Sequence, residues 1–207
     1  MTEGVRVSFV SVGDDVYYAN GFENGVIRDG VSYAWEGEDY VGPDTVYSIS
    51  TTPPLGHLLA IMSGYMLIAS ESTIYFSWPS AFSWYRLSSD FVSFDGKISM
   101  MVPVEDGVWV SDSVATYFLT GIEPTKWSRV KKAGYPVVPY TGCTVNSMVM
   151  GEKSNWVGAV WCSTEGICIG YPGGNMVNLT YKKISLPSCS FGAGIVVGDR
   201  YIMTMEQ

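Results

Sequence analysis

Paired carboxylates are the residues of this chain closest to chemistry. Glu36, Glu38 and Asp39 cluster, Asp14 adjoins Asp15, and Glu105 adjoins Asp106. Two carboxyl groups flanking one bond are what glycoside hydrolysis uses, one as acid and the other as base or nucleophile. Every one of these groups, however, falls in a segment that reads as a turn or connection, where acids solvate the backbone and accept turn hydrogen bonds. His57 is the single histidine and lies between Gly56 and the apolar run that starts at Leu58. That position suits a structural hydrogen-bonding residue better than a general base. No G-x-S-x-G elbow occurs, and no phosphate-binding glycine loop precedes a helix. Gly173-Gly174 sits between two strand-like runs and reads as a tight turn. No catalytic, cofactor-binding or metal-ligating residue is assigned, and the chain is not read as an enzyme.

The four cysteines, Cys143, Cys162, Cys168 and Cys189, are too few for a disulfide scaffold of this length. Cys162 and Cys168 flank one predicted hairpin turn, so they could face each other across it; buried free thiols are the other reading. Zinc lacks a ligand set, because no C-x-x-C pair accompanies His57. No metal or organic cofactor is expected. Ser93-Phe94-Asp95-Gly96 is similar to the Asp-box turn of sialidase propellers, but its Asp and Gly are adjacent and no tryptophan follows. Asn178-Leu179-Thr180 matches a glycosylation acceptor and reads as a chance match. Trp78, Trp84 and Tyr85 could stack on sugars, although such residues at strand ends usually pack between sheets.

The elements that would position these residues repeat along the chain. An apolar run, a tight turn containing Gly, Asp or Ser, and a second apolar run form a hairpin signal. It occurs at Val7 to Asn20, Leu58 to Ala69, Ile98 to Ser111, Val157 to Gly170 and Phe191 to Thr204. A third run follows within a few residues at 25–27, 73–77, 115–119 and 175–179. A weaker fourth appears at 31–35, 84–87, 127–130 and 183–186. Four short antiparallel strands per unit make the blade of a β-propeller. The expected fold is therefore all-β and β-propeller-like, with four to five antiparallel blade units, the last of them incomplete or completed by another chain. A β-sandwich is the alternative, because the turn glycines at 13, 64, 107, 166 and 198 are unevenly spaced. The chain is read as a single domain over 1–207, with connections near 36–56 and 134–154. Helical periodicity is nearly absent, and 23 glycines and 10 prolines interrupt most candidates.

Composition narrows the partners. Hydrophobic residues make up 47% of the 207 and charged residues 15%, which suits surfaces buried against other subunits. A net charge of −8 argues against a nucleic-acid-wrapping surface, which needs clustered Lys and Arg. The one basic cluster, Lys126, Arg129, Lys131 and Lys132, reads as a solvated strand edge protected from aggregation. No apolar stretch is long enough for a transmembrane helix. Met1-Thr2-Glu3-Gly4 lacks the charged and apolar regions of a secretory signal, so synthesis in a bacterial cytoplasm is expected.

From Pro53 onward the order of motifs resembles a group of tailed-bacteriophage and prophage virion proteins. The likeness is carried by Pro54-Leu55-Gly56-His57-Leu58, Leu67-Ile68-Ala69 and Ile74-Tyr75-Phe76-Ser77. It continues through Gly107-Val108-Trp109-Val110, Ala115 to Gly121, Thr164-Glu165-Gly166 and Val177-Asn178-Leu179-Thr180. It implies a propeller-like structural subunit of the phage tail, similar to the nozzle or hub proteins of short-tailed phages. Its partners would be other virion proteins, tail or connector components, within a homo-oligomeric ring located in the virion. Tight nucleic-acid binding is not expected. Some of Asp14, Asp15, Glu36, Glu38, Asp39 and Asp44 would then line a passage and repel DNA phosphates, unless they simply solvate turns. The alternative function is a carbohydrate-binding or glycan-degrading module for host attachment.

Overall fold

Val12 pairs with Asp15 across Gly13-Asp14, and Met62 with Tyr65 across Ser63-Gly64. Two-residue turns recur at Asp29-Gly30, Glu105-Asp106 and Gly198-Asp199. Ser63 and Gly64 both have positive φ, 48° and 81°, the type I′ geometry that matches the twist of the flanking strands. The computed structural model describes residues 5–37, 49–147, 156–184, 186–187 and 189–206. Among them lie eighteen strands and two single-turn 3-10 segments, Pro124–Lys126 and Pro172–Gly174. The protein is all-β, with almost no helix.

Residues 1–94 form one compact unit and residues 95–207 another. The first unit holds two four-stranded antiparallel sheets. Sheet I consists of β1 (Ser8–Val12), β2 (Asp15–Ala19), β3 (Asn24–Arg28) and β4 (Val31–Ala34). Sheet II consists of β5 (Leu58–Met62), β6 (Tyr65–Ser70), β7 (Thr73–Phe76) and β8 (Phe91–Ser93). β1 packs against β5. Between the two sheets Tyr17, Val26, Trp35, Leu59, Met66, Ile68 and Tyr85 form one apolar cluster.

The second unit holds sheet III, sheet IV and a hairpin. Sheet III is β9 (Met100–Val104), β10 (Gly107–Ser111), β11 (Thr116–Thr120) and β12 (Ser128–Ala133). Sheet IV is β13 (Cys143–Asn146), β14 (Val157–Ser163), β15 (Gly166–Gly170) and β16 (Met176–Asn178). The hairpin pairs β17 (Phe191–Val197) with β18 (Arg200–Glu206). β9 packs against β13 and β14, and β13 against β17. Trp109 is the centre of the core: its ring lies 4.9 Å from Phe118 and 5.3 Å from Trp161. Its indole N–H donates to the Tyr171 carbonyl at 3.2 Å. A Cβ at Gly170 would overlap the Trp109 indole, so the close approach of sheets III and IV depends on that glycine.

Strand burial follows position within each sheet. β10 is buried at every residue and β14 at all but its first, and such strands read as continuous apolar runs because both faces are covered. The last strands are open: β4 is exposed throughout, and β12 at its first four residues. All five expected hairpins and all four expected third strands are present.

Two of the expected fourth strands are not. Residues 84–87 do not form a strand; Tyr85 makes one isolated bridge to Ser50, and sheet II is closed by β8 instead. In sheet IV residues 181–183 form a turn, Ser185 of the expected strand lies outside the described residues, and the fourth strand is β13, which precedes the hairpin. β13 lies inside the stretch read as a connection near 134–154. The surrounding Gly134, Pro136, Pro139 and Gly142 punctuate that stretch so heavily that the four-residue strand within it gives no periodic signal.

Candidate functional site

The carboxylates flagged for chemistry serve largely as tethers. Glu105 and Asp106 form the turn between β9 and β10, and each reaches toward sheet IV. Glu105 Oε1 accepts the Val157 N–H at 3.1 Å, and both oxygens of Asp106 accept the Gly173 N–H. Gly173, at φ 77°, presents that N–H from the tight turn between β15 and β16. Asp15 accepts Arg28 Nε on both oxygens at 3.0 Å, directly across the β2–β3 pair. Asp14 and Glu36 are exposed. Glu38, Asp39 and Asp44 lie outside the described residues, so the acidic cluster around Glu36 is represented by Glu36 alone.

The densest polar constellation surrounds Asp112, just beyond the end of β10. This fully buried carboxylate accepts the backbone N–H groups of Val114 at 2.8 Å, Ala115 at 2.7 Å and Gly96 at 3.2 Å. Its fourth donor is the Tyr117 hydroxyl at 3.4 Å, which also lies 3.5 Å from Asp95. Arg129 sits over the Tyr117 ring, 5.4 Å from its centroid. Burial, and after it the charges of Asp112 and Asp95, push the Tyr117 hydroxyl above its ordinary range. Two acids, a tyrosine and an arginine thus gather at one end of sheet III. With three backbone donors and a phenol already bound, Asp112 closes the β10–β11 loop and has little capacity left for a substrate. Sequence reading singled out Asp95 and missed Asp112. The signal was present in Asp112-Ser113-Val114-Ala115, where an Asp side chain receives the N–H groups two and three residues on.

The remaining flagged residues disperse. His57 is half-buried beside β5, its backbone N–H bonded to the Ala69 carbonyl at 2.8 Å. Tyr85 is fully buried, while Trp78 and Trp84 meet edge to face at 6.0 Å with Arg86 over the Trp78 ring. A sugar-stacking platform of these three therefore does not form. Asn178 donates its side-chain N–H to the Glu165 carbonyl at 2.9 Å. Arg129, Lys131 and Lys132 lie on β12, the edge strand of sheet III, and Lys126 pairs with Glu123 at 2.8 Å.

The cysteines also separate. Trp161 pairs with Cys168 and Cys162 with Ile167, so the side chains of Cys162 and Cys168 leave opposite faces of sheet IV. They do not face each other across the turn, and all four thiols are free. Burial pushes the Cys162 thiol up to about 11. Among the described residues, no three His, Cys, Asp or Glu side chains converge as metal ligands.

Two surface features stand out in the second unit. On the hairpin, Ile195 pairs with Ile202 and both point outward with Val197, each at least half exposed. Its other face, with Val196 and Tyr201, borders an apolar cleft of about 230 Å³ lined by Val145, Val160, Ile167 and Ile169. No helix among the described residues is long and apolar enough to cross a membrane.

No family model matches the chain, and no curated protein matches it. Among solved structures, it is similar to the extracellular domain of a protein described as a one component system of B. thetaiotaomicron. The two share 12% sequence identity over 86% of this chain, with a TM-score of 0.48. The chain spans 23% of that chain's length. At that level the likeness carries no functional argument.

Proposed function

We propose that this protein is a non-enzymatic structural subunit of a tailed-phage virion. It would act as a propeller-like component of the tail or head-to-tail region, working in a ring with other virion proteins. The observation that carries the reading is the contrast between its carboxylates and its surface. Asp15, Glu105, Asp106 and Asp112 are taken up by internal bonds, whereas Ile195, Val197 and Ile202 are held out to solvent on a regular sheet face. A ring subunit needs two different contact faces, and apolar sheet surface of low charge suits them.

A propeller-like arrangement is supported by the connectivity. Each sheet runs through consecutive strands, first strands meet first strands in the pairs β1–β5, β9–β13 and β13–β17, and last strands are the open ones. Blades radiating from a centre have these properties, whereas a sandwich buries whole sheet faces against each other.

Mass spectrometry of purified phage particles tests the function. The chain is expected among the virion proteins in a fixed ratio to the other tail components, and its absence from particles overturns the reading. A glycan array and a polysaccharide-turnover assay separate the host-attachment alternative, since a ring component gives no signal in either. Exposed Asp14 and Glu36 and the net charge of −8 also imply that the isolated protein leaves duplex DNA unshifted in a gel at physiological salt.

A further inference from the structure

Three sulfur atoms from distant parts of the second unit converge beside the hairpin. Met205, on the inner face of β18, has its Sδ 4.0 Å from Cys162 Sγ and 3.6 Å from Cys189 Sγ. Cys162 is fully buried on β14, and Cys189 is half-buried just before β17. Both thiols are directed at the one thioether. A metal–sulfur bond of about 2.3 Å, the length thiolates make to a d10 ion, sets the corners of a trigonal site about 4 Å apart. The two sulfur–sulfur distances already approach that spacing.

We propose that Cys162, Cys189 and Met205 form a binding site for a soft monovalent metal ion, Cu(I) by preference. Thiolate and thioether ligands select Cu(I) over harder ions. Zinc would need a fourth ligand, and Cys168 cannot supply it because it leaves the other face of the sheet. Access is provided by a cleft of about 280 Å³ that has Cys189 in its wall, together with Val138, Thr164, Leu186 and Pro187. On binding, the two thiols each release a proton to solvent and the ion gains two sulfur–metal bonds from the thiolates and one from Met205. No electron is transferred. Affinity therefore rises with pH, because the protons compete with the ion.

The test is an anaerobic titration of the reduced full chain with Cu(I) against a chromogenic Cu(I) chelator. One ion per chain is expected, with X-ray absorption showing a three-sulfur shell. Cys189→Ser is expected to weaken binding at least tenfold and Met205→Leu severalfold. Cys168→Ala should retain the stoichiometry, with circular dichroism verifying that each variant is folded. Failure to hold Cu(I) against the chelator overturns the proposal. So does equal uptake of Zn(II), a Cys162–Cys189 disulfide formed in place of metal binding, or Cu(I) binding unchanged in both ligand variants.

Discussion

The Asp106 carboxylate receives the Gly173 N–H on both of its oxygens, at 3.0 and 2.8 Å. One hairpin turn is thereby fastened to another 67 residues away, and sheet III is tied to sheet IV outside their shared apolar core. Asp106→Ala removes the acceptor and leaves the N–H to water, a loss of about 1 kcal/mol for a half-exposed bond. A fall in melting temperature of a few degrees is expected in differential scanning calorimetry. Asp106→Asn, which keeps one oxygen acceptor, should fall by less. Equal melting of both variants and the parent would mean that the contact contributes nothing.

Asp112 is the more demanding case, because it is fully buried. Asp112→Ala removes the acceptor of the Val114, Ala115 and Gly96 N–H groups and strands the buried one, that of Ala115, away from solvent, at a cost of about 3 kcal/mol. Asp112→Asn retains an acceptor oxygen for Val114 and Ala115 and is expected to recover much of the loss. Urea unfolding compares the two, and an alanine variant as stable as the parent would contradict the anchoring role.

Gly170 has no room for a methyl group, because the Trp109 indole lies against it. Gly170→Ala forces the indole or the strand to shift, with a destabilisation of about 1–3 kcal/mol. Displacing Trp109 from its place beside Trp161 should also change the tryptophan emission spectrum. Unaltered emission with unaltered stability would show that the sheets separate freely at this point.

Alkaline pH offers a separate check. The Cys162 thiol is raised by burial from 9.0 to about 11, and burial also raises the Tyr201 hydroxyl. In each case the folded state holds its proton more tightly than the unfolded chain does. The stabilisation is therefore complete below the unfolded value and is lost as pH rises through the folded one. Denaturant midpoints should decline between about pH 9 and 11 for Cys162. Cys162→Ala should flatten part of that decline, after allowance for its own packing loss. A stability flat from pH 8 to 11 would rule out the assignment.

Hairpins were legible in the sequence because their signal is local. Gly13-Asp14, Ser63-Gly64 and Gly198-Asp199 sit between β-branched and aromatic runs, and the structure turns at each of them. β13 and β8 were not legible, since a strand of three or four residues carries too little periodicity to rise above the prolines, glycines and serines around it. Nor could one read which face each cysteine takes, because a one-residue shift in register exchanges the faces. The Asp112 loop left a trace in the residues that follow it. The Cys162, Cys189 and Met205 cluster left none, since its members come from three segments whose meeting is decided by packing.

In each of the four-stranded sheets, spatial order is chain order. Pairing partners are thus near neighbours in sequence, and little loop-closure entropy stands in the way of any one sheet. As the chain leaves the ribosome, sheet I can zip before sheet II exists, and sheet III before sheet IV. What each must wait for is its covering: Trp109 and Phe118 stay wet until Gly170 and Trp161 have been synthesised. Synthesis order becomes assembly order, and the interval of greatest aggregation risk in the second half of the chain falls between the emergence of sheet III and that of sheet IV.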